Sequence, residues 1–168
     1  MSKINGFKAY DIRGKVPSEL NPEIAYKIGK AFSKLVNAQK VVVGRDIRKS
    51  SKELADSLIK GLTENGASVV DIGLCGTEMV YFSTPYFNAD GGIMITASHN
   101  PPEYNGMKFV KKDSVPVGYD SGLNKIEKLI LSNDLDVKTE NKGKVENIDV
   151  MPAFIENLKR FYDPNKIK

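Results

Sequence analysis

From residue 21 to residue 36 the apolar side chains Ile24, Ile28, Ala31, Phe32 and Leu35 return every three or four positions, the period of a helix with one buried face. Asn21 stands where an N-cap belongs, and Pro22 falls on the first helical position, where the missing N–H costs nothing. Val41, Val42 and Val43 then form a β-branched run without alternation that stops at Gly44, which predicts a strand covered on both faces. A polar turn, Arg45, Asp46, Ile47 and Arg48, leads to Ser50. With Glu53 three residues on, Ser50 predicts a capping box, and Leu54, Leu58, Ile59 and Leu62 line a second helix closed by Asn65 and Gly66. Residues 68–72 predict the next strand.

Helix, strand, helix, strand over residues 21–72 predicts parallel strands joined by right-handed crossovers, hence an α/β class with helices on both faces of a sheet in three layers. Beyond Gly73, residues 77–87 predict a short helix interrupted at Pro85, and residues 91–96 another buried strand. Residues 107–111 predict a further strand. Leu123, Ile126, Leu129 and Ile130 place a surface helix at 120–132, and the polar stretch 132–144 predicts a loop or hairpin. Residues 151–162 carry Phe154, Ile155, Leu158 and Phe161 on one helical face. That helix either docks on this domain or connects to another.

Composition narrows the class without naming it. A length of 168 residues suits one domain, and 40% apolar with 27% charged residues is ordinary for a globular chain. There is no apolar run of the roughly 18–20 residues that would cross a bilayer, and the first residues lack the apolar core of a signal peptide, so a cytoplasmic protein without a membrane partner is expected. Cys75 is the sole cysteine, which excludes an intrachain disulfide and a Cys-rich metal site; the sole histidine, His99, excludes His-rich zinc schemes. The net charge of +4 is spread among interspersed acids and bases, so nucleic acid is not an expected partner whereas phosphate-sized anions are open.

One loop carries chemistry. Ala97, Ser98, His99, Asn100, Pro101 and Pro102 follow a buried strand, and in α/β sheets the loops leaving the carboxyl ends of parallel strands line the ligand crevice. A serine hydroxyl is a poor nucleophile that needs a base, a metal or cationic surroundings to accept and return a phosphoryl group, and His99 and Lys108 could supply part of these. The two prolines stiffen the turn. On its chemistry alone, Ser98 could equally cap an ordinary bend with Asn100 and Pro101.

The stretch Thr96, Ala97, Ser98, His99, Asn100, Pro101, continued by Tyr104, Asn105, Gly106, Met107 and Lys108, resembles the phosphoserine loop of the α-D-phosphohexomutases. Lys8, Ala9, Tyr10, Asp11, Ile12, Arg13, Gly14 resembles that family's active-site floor segment, and Val43, Gly44, Arg45, Asp46 gives a third match, so the resemblance covers residues 4–162. It implies the mixed-sheet first domain of such an enzyme. By that resemblance Ser98 is the phosphorylated residue, which donates its phosphate to a hexose monophosphate and is restored from a hexose 1,6-bisphosphate intermediate. A Mg²⁺ bound by a phosphoserine oxygen and three aspartates of a second domain is implied too, and of those ligands only Ser98 is present. Nothing here matches the aspartate-rich metal loop.

Further roles follow from the same resemblance. Lys108 is expected to stabilise charge or transfer a proton, His99 to position or transfer a proton, and Arg13 to contact the phosphoserine region. Tyr10 stands either at the cleft wall, among the substrate-binding residues, or as a buried packing residue. Arg45 either serves the substrate or belongs to an internal salt bridge. The opening Gly76, Thr77, Glu78 resembles the bacterial phosphomannomutase version, implying interconversion of mannose 6-phosphate and mannose 1-phosphate. The alternatives are a phosphoglucomutase or phosphoglucosamine mutase domain, or a non-catalytic phosphosugar-binding module. Residues 1–149 form the expected catalytic-serine domain, residues 150–168 a helix or linker toward the remaining domains of a longer enzyme, and the domain alone is expected to be inactive.

Overall fold

The computed structural model describes residues 4–163. Six strands, β1 (Ile12–Lys15), β2 (Lys40–Arg45), β3 (Ser68–Leu74), β4 (Gly91–Ile95), β5 (Tyr104–Lys111) and β6 (Val145–Asn147), form one sheet in the order β1-β5-β4-β2-β3-β6. β4, β2, β3 and β6 run parallel, and β5 lies antiparallel to both β4 and β1. The expected mixed α/β sheet is therefore observed. Helices α1 (Pro22–Val36), α2 (Ser51–Glu64) and α4 (Asn124–Ser132) lie on one face, and α3 (Thr77–Tyr86) lies on the other with α5 (Met151–Leu158).

Alternation along the strands sorts the core into these two layers. Val41, Val43, Ile93, Ile95, Met107 and Phe109 meet Ile28, Phe32, Leu58 and Leu62, whereas Val42, Val70, Ile72 and Met94 meet Met79 and Val80. Each such fully buried side chain contributes about 1.5–3 kcal/mol relative to exposure. α1 begins as the sequence predicts: Asn21 Oδ1 accepts the Ile24 N–H at 3.0 Å behind Pro22. α1 and α2 touch backbone to backbone. A Cβ on Gly29 would stand 2.3 Å from the Leu58 carbonyl oxygen, and one on Gly61 would stand 2.2 Å from that of Tyr26.

Several expectations are corrected. Ser50 has helical angles (φ −85°, ψ −10°) and caps nothing; its hydroxyl accepts a bond from Asn105 instead, so the capping box does not form. β2 runs through Gly44 to Arg45, because Cys75 Sγ packs where a Cβ would lie, 2.4 Å away. α3 is not interrupted at Pro85. That proline leaves the Tyr81 carbonyl without its helical N–H, and the Ser114 hydroxyl donates to it across the layer. β6, whose three residues are all exposed, was not signalled by any apolar pattern. The polar stretch takes its loop alternative over residues 133–144, whereas α4 starts only at Asn124, after an irregular turn.

α5 departs most. Val150 is buried and Phe154 packs edge-on against Phe82 at 5.5 Å, so the helix does dock on the α3 face. Of the four residues expected on its apolar side, however, Ile155 and Leu158 are exposed, and Phe161, in a single turn of 3₁₀ helix beyond, is 78% exposed. No helix among the described residues is long and apolar enough to cross a membrane.

Candidate active site

Because β2, β3 and β4 are parallel, the loops leaving them open on one edge of the sheet. The Asp46 N–H donates to the Ile95 carbonyl at 3.0 Å and the Cys75 N–H to the Arg45 carbonyl at 3.0 Å, which draws the three strand ends together. An open cleft of about 860 Å³ lies there, lined by Asp46, Arg48, Cys75, Thr77, Ser98 and Asn100 among others.

Ser98 stands at its rim, exposed, with φ at 55°, the left-handed region. For a residue with a side chain this conformation costs roughly 1–2 kcal/mol, so the surroundings must hold it. They do so from several directions. The Ser98 N–H donates to Thr96 Oγ1 at 2.8 Å, and the Asn100 N–H closes a turn on the Ala97 carbonyl at 3.1 Å. Arg48 NH2 donates to the carbonyls of Ser98 (2.9 Å) and Asn100 (2.6 Å), and NH1 to those of Pro101 (2.8 Å) and Tyr104 (3.0 Å).

Arg48 is itself fixed. Its Nε faces Asp46 Oδ2 at 3.3 Å, and Asp46 Oδ1 accepts the Arg48 N–H and the Ser51 hydroxyl. Asn105, fully buried, donates to Ser50 Oγ and Ser51 Oγ and accepts the Gly106 N–H. Gly106 admits no side chain, since a Cβ would lie 2.2 Å from the Ile12 carbonyl oxygen and 2.9 Å from that of Thr96. β1 can therefore lie against the base of the loop.

A cationic cluster stands beside it. Asp11, 6% exposed, uses Oδ2 to accept Arg13 Nε and face NH2 at 2.8 Å each, and to meet Lys108 Nζ at 3.3 Å. Arg13 NH1 reaches the loop itself, donating to Asn100 Oδ1 at 2.9 Å. Counting donors, Arg13 keeps two N–H groups and Lys108 keeps two uncommitted, available to an anion. Ser98 Oγ and His99 Nδ1 lie 3.1 Å apart, the hydroxyl donating to the neutral imine nitrogen or accepting from the ring N–H according to tautomer.

The walls are less polar. Burial pushes the Cys75 thiol up to about 11, so it stays protonated at neutral pH and is no nucleophile. Burial first, and the Asp11 charge second, also raise the Tyr81 hydroxyl. Tyr10 is 85% exposed, which overturns the packing alternative; it lines a different opening with Phe7, Lys8 and Tyr119, not the Ser98 cleft. Arg45 is half-buried at the end of β2, and the ion pair of that turn belongs to Arg48 and Asp46. Hydrogen bonds thus link Ser98 to His99, and Arg13 to the loop at Asn100 and, through Asp11, to Lys108, while the side chains of Tyr10 and Arg45 take no part in these bonds among the described residues.

Asp11, Arg48 and Asn105 were missed as contributors. The matched segments contain Asp11 and Asn105, but spacing does not disclose that one shares its carboxylate between two cations and the other ties the loop to α2. Among the described residues there is no group of three or more His, Cys, Asp or Glu side chains that could hold a metal ion.

The chain thus presents an exposed serine in a left-handed turn at the carboxyl edge of an α/β sheet, with Arg13 bonded to its loop at Asn100. The family model described as phosphoglucomutase/phosphomannomutase, alpha/beta/alpha domain I, matches residues 5–136, and the chain belongs to that family. It is 43% identical, over its whole length and 37% of the relative's, to a phosphomannomutase of Vibrio cholerae. A phosphomannomutase of Klebsiella pneumoniae is 43% identical over 93% of this chain and 100% of that sequence. A phosphoglucomutase/phosphomannomutase family protein of Burkholderia thailandensis superposes with a TM-score of 0.83 at 33% identity, covering 94% of this chain and 36% of that one. The chain thus spans little more than a third of most of the relatives it matches.

Proposed function

We propose that this chain is the phosphoserine-bearing first domain of a phosphomannomutase, and that it interconverts mannose 6-phosphate and mannose 1-phosphate only together with further domains. The observation that carries the reading is Ser98: exposed, held in a left-handed turn, and in a loop that Arg13 bonds at Asn100, with Lys108 sharing the Asp11 carboxylate with Arg13 and both cations keeping donors for phosphate oxygens. In the forward step the bond between phosphorus and Ser98 Oγ breaks and a bond to the substrate hydroxyl oxygen forms. The hydroxyl's proton leaves to a base, and the Ser98 oxygen takes one up, with His99 Nδ1 at 3.1 Å able to hold it. The second half reverses these events on the bisphosphate's other phosphate. Arg13 and Lys108 offset the charge spread over the transferring group.

Mg²⁺ and a hexose 1,6-bisphosphate belong to the same proposal. A phosphate oxygen on Ser98 is this chain's contribution to the metal, and the metal supplies Lewis-acid polarisation of the phosphoryl group when bound. Residues 1–149 would be the catalytic-serine domain and residues 150–168 the segment leading onward, with the last five lying outside the described residues. The four-residue constellation has no group aimed at the sugar, so mannose rests on the likeness to phosphomannomutases.

The test is to incubate the complete enzyme with mannose 1,6-bisphosphate and Mg²⁺ and map the phosphate by mass spectrometry. Phosphate on Ser98 is expected; phosphate on another residue, or mutase turnover by the 168-residue chain alone, overturns the proposal.

A further inference from the structure

We propose that Arg48 is the positioning residue of the phosphoryl-transfer loop, fixing the backbone around Ser98 without touching substrate. This rests on the phosphoserine reading of Ser98. Four of the five guanidinium N–H groups end on four carbonyls of one loop, those of Ser98, Asn100, Pro101 and Tyr104, and the fifth faces Asp46. A planar fork is the side chain that can do this, since an ammonium offers three donors from one point.

The spent donors decide the role. Arg48 lines the same cleft as Ser98, which would ordinarily suggest an anion ligand, but with no N–H left it has nothing to offer a phosphate. Arg13, by contrast, keeps two. The bonds to the Ser98 and Asn100 carbonyls set the Ser98–His99 and Asn100–Pro101 peptide planes, and so the direction in which the Ser98 side chain leaves a backbone at φ 55°. The Asp46 carboxylate, held by Ser51, orients the fork, and Ser51 is bonded by Asn105 at the base of the same loop. The start of α2 and both ends of the loop thereby close into one hydrogen-bonded ring around Arg48. Without the guanidinium, four carbonyls would turn to water in several arrangements, and the serine would sample several directions.

The test has two arms. In the 168-residue chain, Arg48→Lys is expected to speed amide exchange of Asn100 and Tyr104, which close turns inside the loop, by about tenfold or more, while Ile28 and Leu58 in the α1–α2 layer keep their protection. Unchanged exchange in the loop overturns the inference. In the complete enzyme, Arg48→Lys is expected to lower kcat by about 100-fold, the order of loss for a misplaced reacting group, with KM for the hexose phosphate within about twofold. Added guanidinium ion is expected to restore part of kcat to Arg48→Ala but none to Arg48→Lys, whose side chain fills the site. A raised KM at unchanged kcat would make Arg48 a substrate ligand instead and sink the proposal. Should Ser98→Ala remain active, the phosphoserine reading falls, and the exchange arm still decides whether Arg48 holds the loop.

Discussion

Ser98 and Phe161 both face water, yet the two regions around them are exposed for different physical reasons. Around Ser98 the side chain is polar, the backbone is in a costly conformation, and the N–H groups of Ser98 and Asn100 and the carbonyls of Ala97, Ser98, Asn100 and Pro101 have protein partners. Around Phe161, Ile155 and Leu158 the side chains are apolar, Ile155 and Leu158 lie in ordinary helix, and the apolar packing on the α3 face comes from Val150, Ala153 and Phe154. In the first region exposure goes with fixation; in the second an apolar face is exposed beside a docked edge. Directional hydrogen bonds, rather than burial, make the first region specific.

Removing the group for which the loop is built strains that comparison most. Ser98→Ala in the complete enzyme is expected to lower mutase turnover by at least about 10⁴-fold, with no loss of thermal stability, since the side chain is exposed and bonded only to His99; a melting curve beside a turnover assay reads both. A next, smaller effect comes from forcing a side chain under the loop. Gly106→Ala should cost about 3 kcal/mol in denaturant unfolding, because the new Cβ would meet the backbone carbonyls of Ile12 and Thr96 rather than a yielding side chain. An unchanged midpoint would show that β1 is not locked to the loop as described.

The wall of the cleft gives a pH test. With its pKa pushed up by burial to about 11, against an ordinary value of 9.0, Cys75 has a thiolate population about 100-fold below that of an ordinary thiol at pH 8. Its alkylation rate should rise about tenfold per pH unit and level off only near pH 11; a plateau below pH 9 would mean the thiol is open to water. The smallest effect is expected at the other region. Ile155→Ser or Phe161→Ser should change unfolding free energy by no more than about 0.5 kcal/mol, whereas Phe154→Ala, which removes the contact with Phe82, should cost about 1–2 kcal/mol. Equal costs for Phe154 and Phe161 would erase the distinction between the docked edge and the open face.

Local patterns carried much of the fold. α1 was legible down to its cap because Asn21 and Pro22 act on the first turn and Ile24, Ile28 and Phe32 recur at one-turn spacing. Ser98 was legible because a strand, a proline-stiffened turn and the matched residues are contiguous. The errors fall where the deciding partner is distant in the chain. Ser50 looks like a cap until Asn105, 55 residues away, claims its hydroxyl; Pro85 looks like a break until Ser114 supplies the bond that Tyr81 lacks. β6 exists through backbone pairing to β3 and leaves no side-chain pattern at all.

The candidate site divides in the same way. Sequence by itself determined α1 to α4, β2 to β5 and the loop that bears Ser98, since these rest on periodicity and on contiguous residues, whereas Arg13 was singled out by the resemblance alone. Only the tertiary structure decided that Asp11 shares one carboxylate oxygen between Arg13 and Lys108, that Arg48 rather than Arg45 serves the cleft, and that Tyr10 faces another opening. Hydrogen bonds and ion pairs depend on angles and distances of a few tenths of an ångström, and those are set when β1, β2, β4 and α2 are brought to one edge of the sheet.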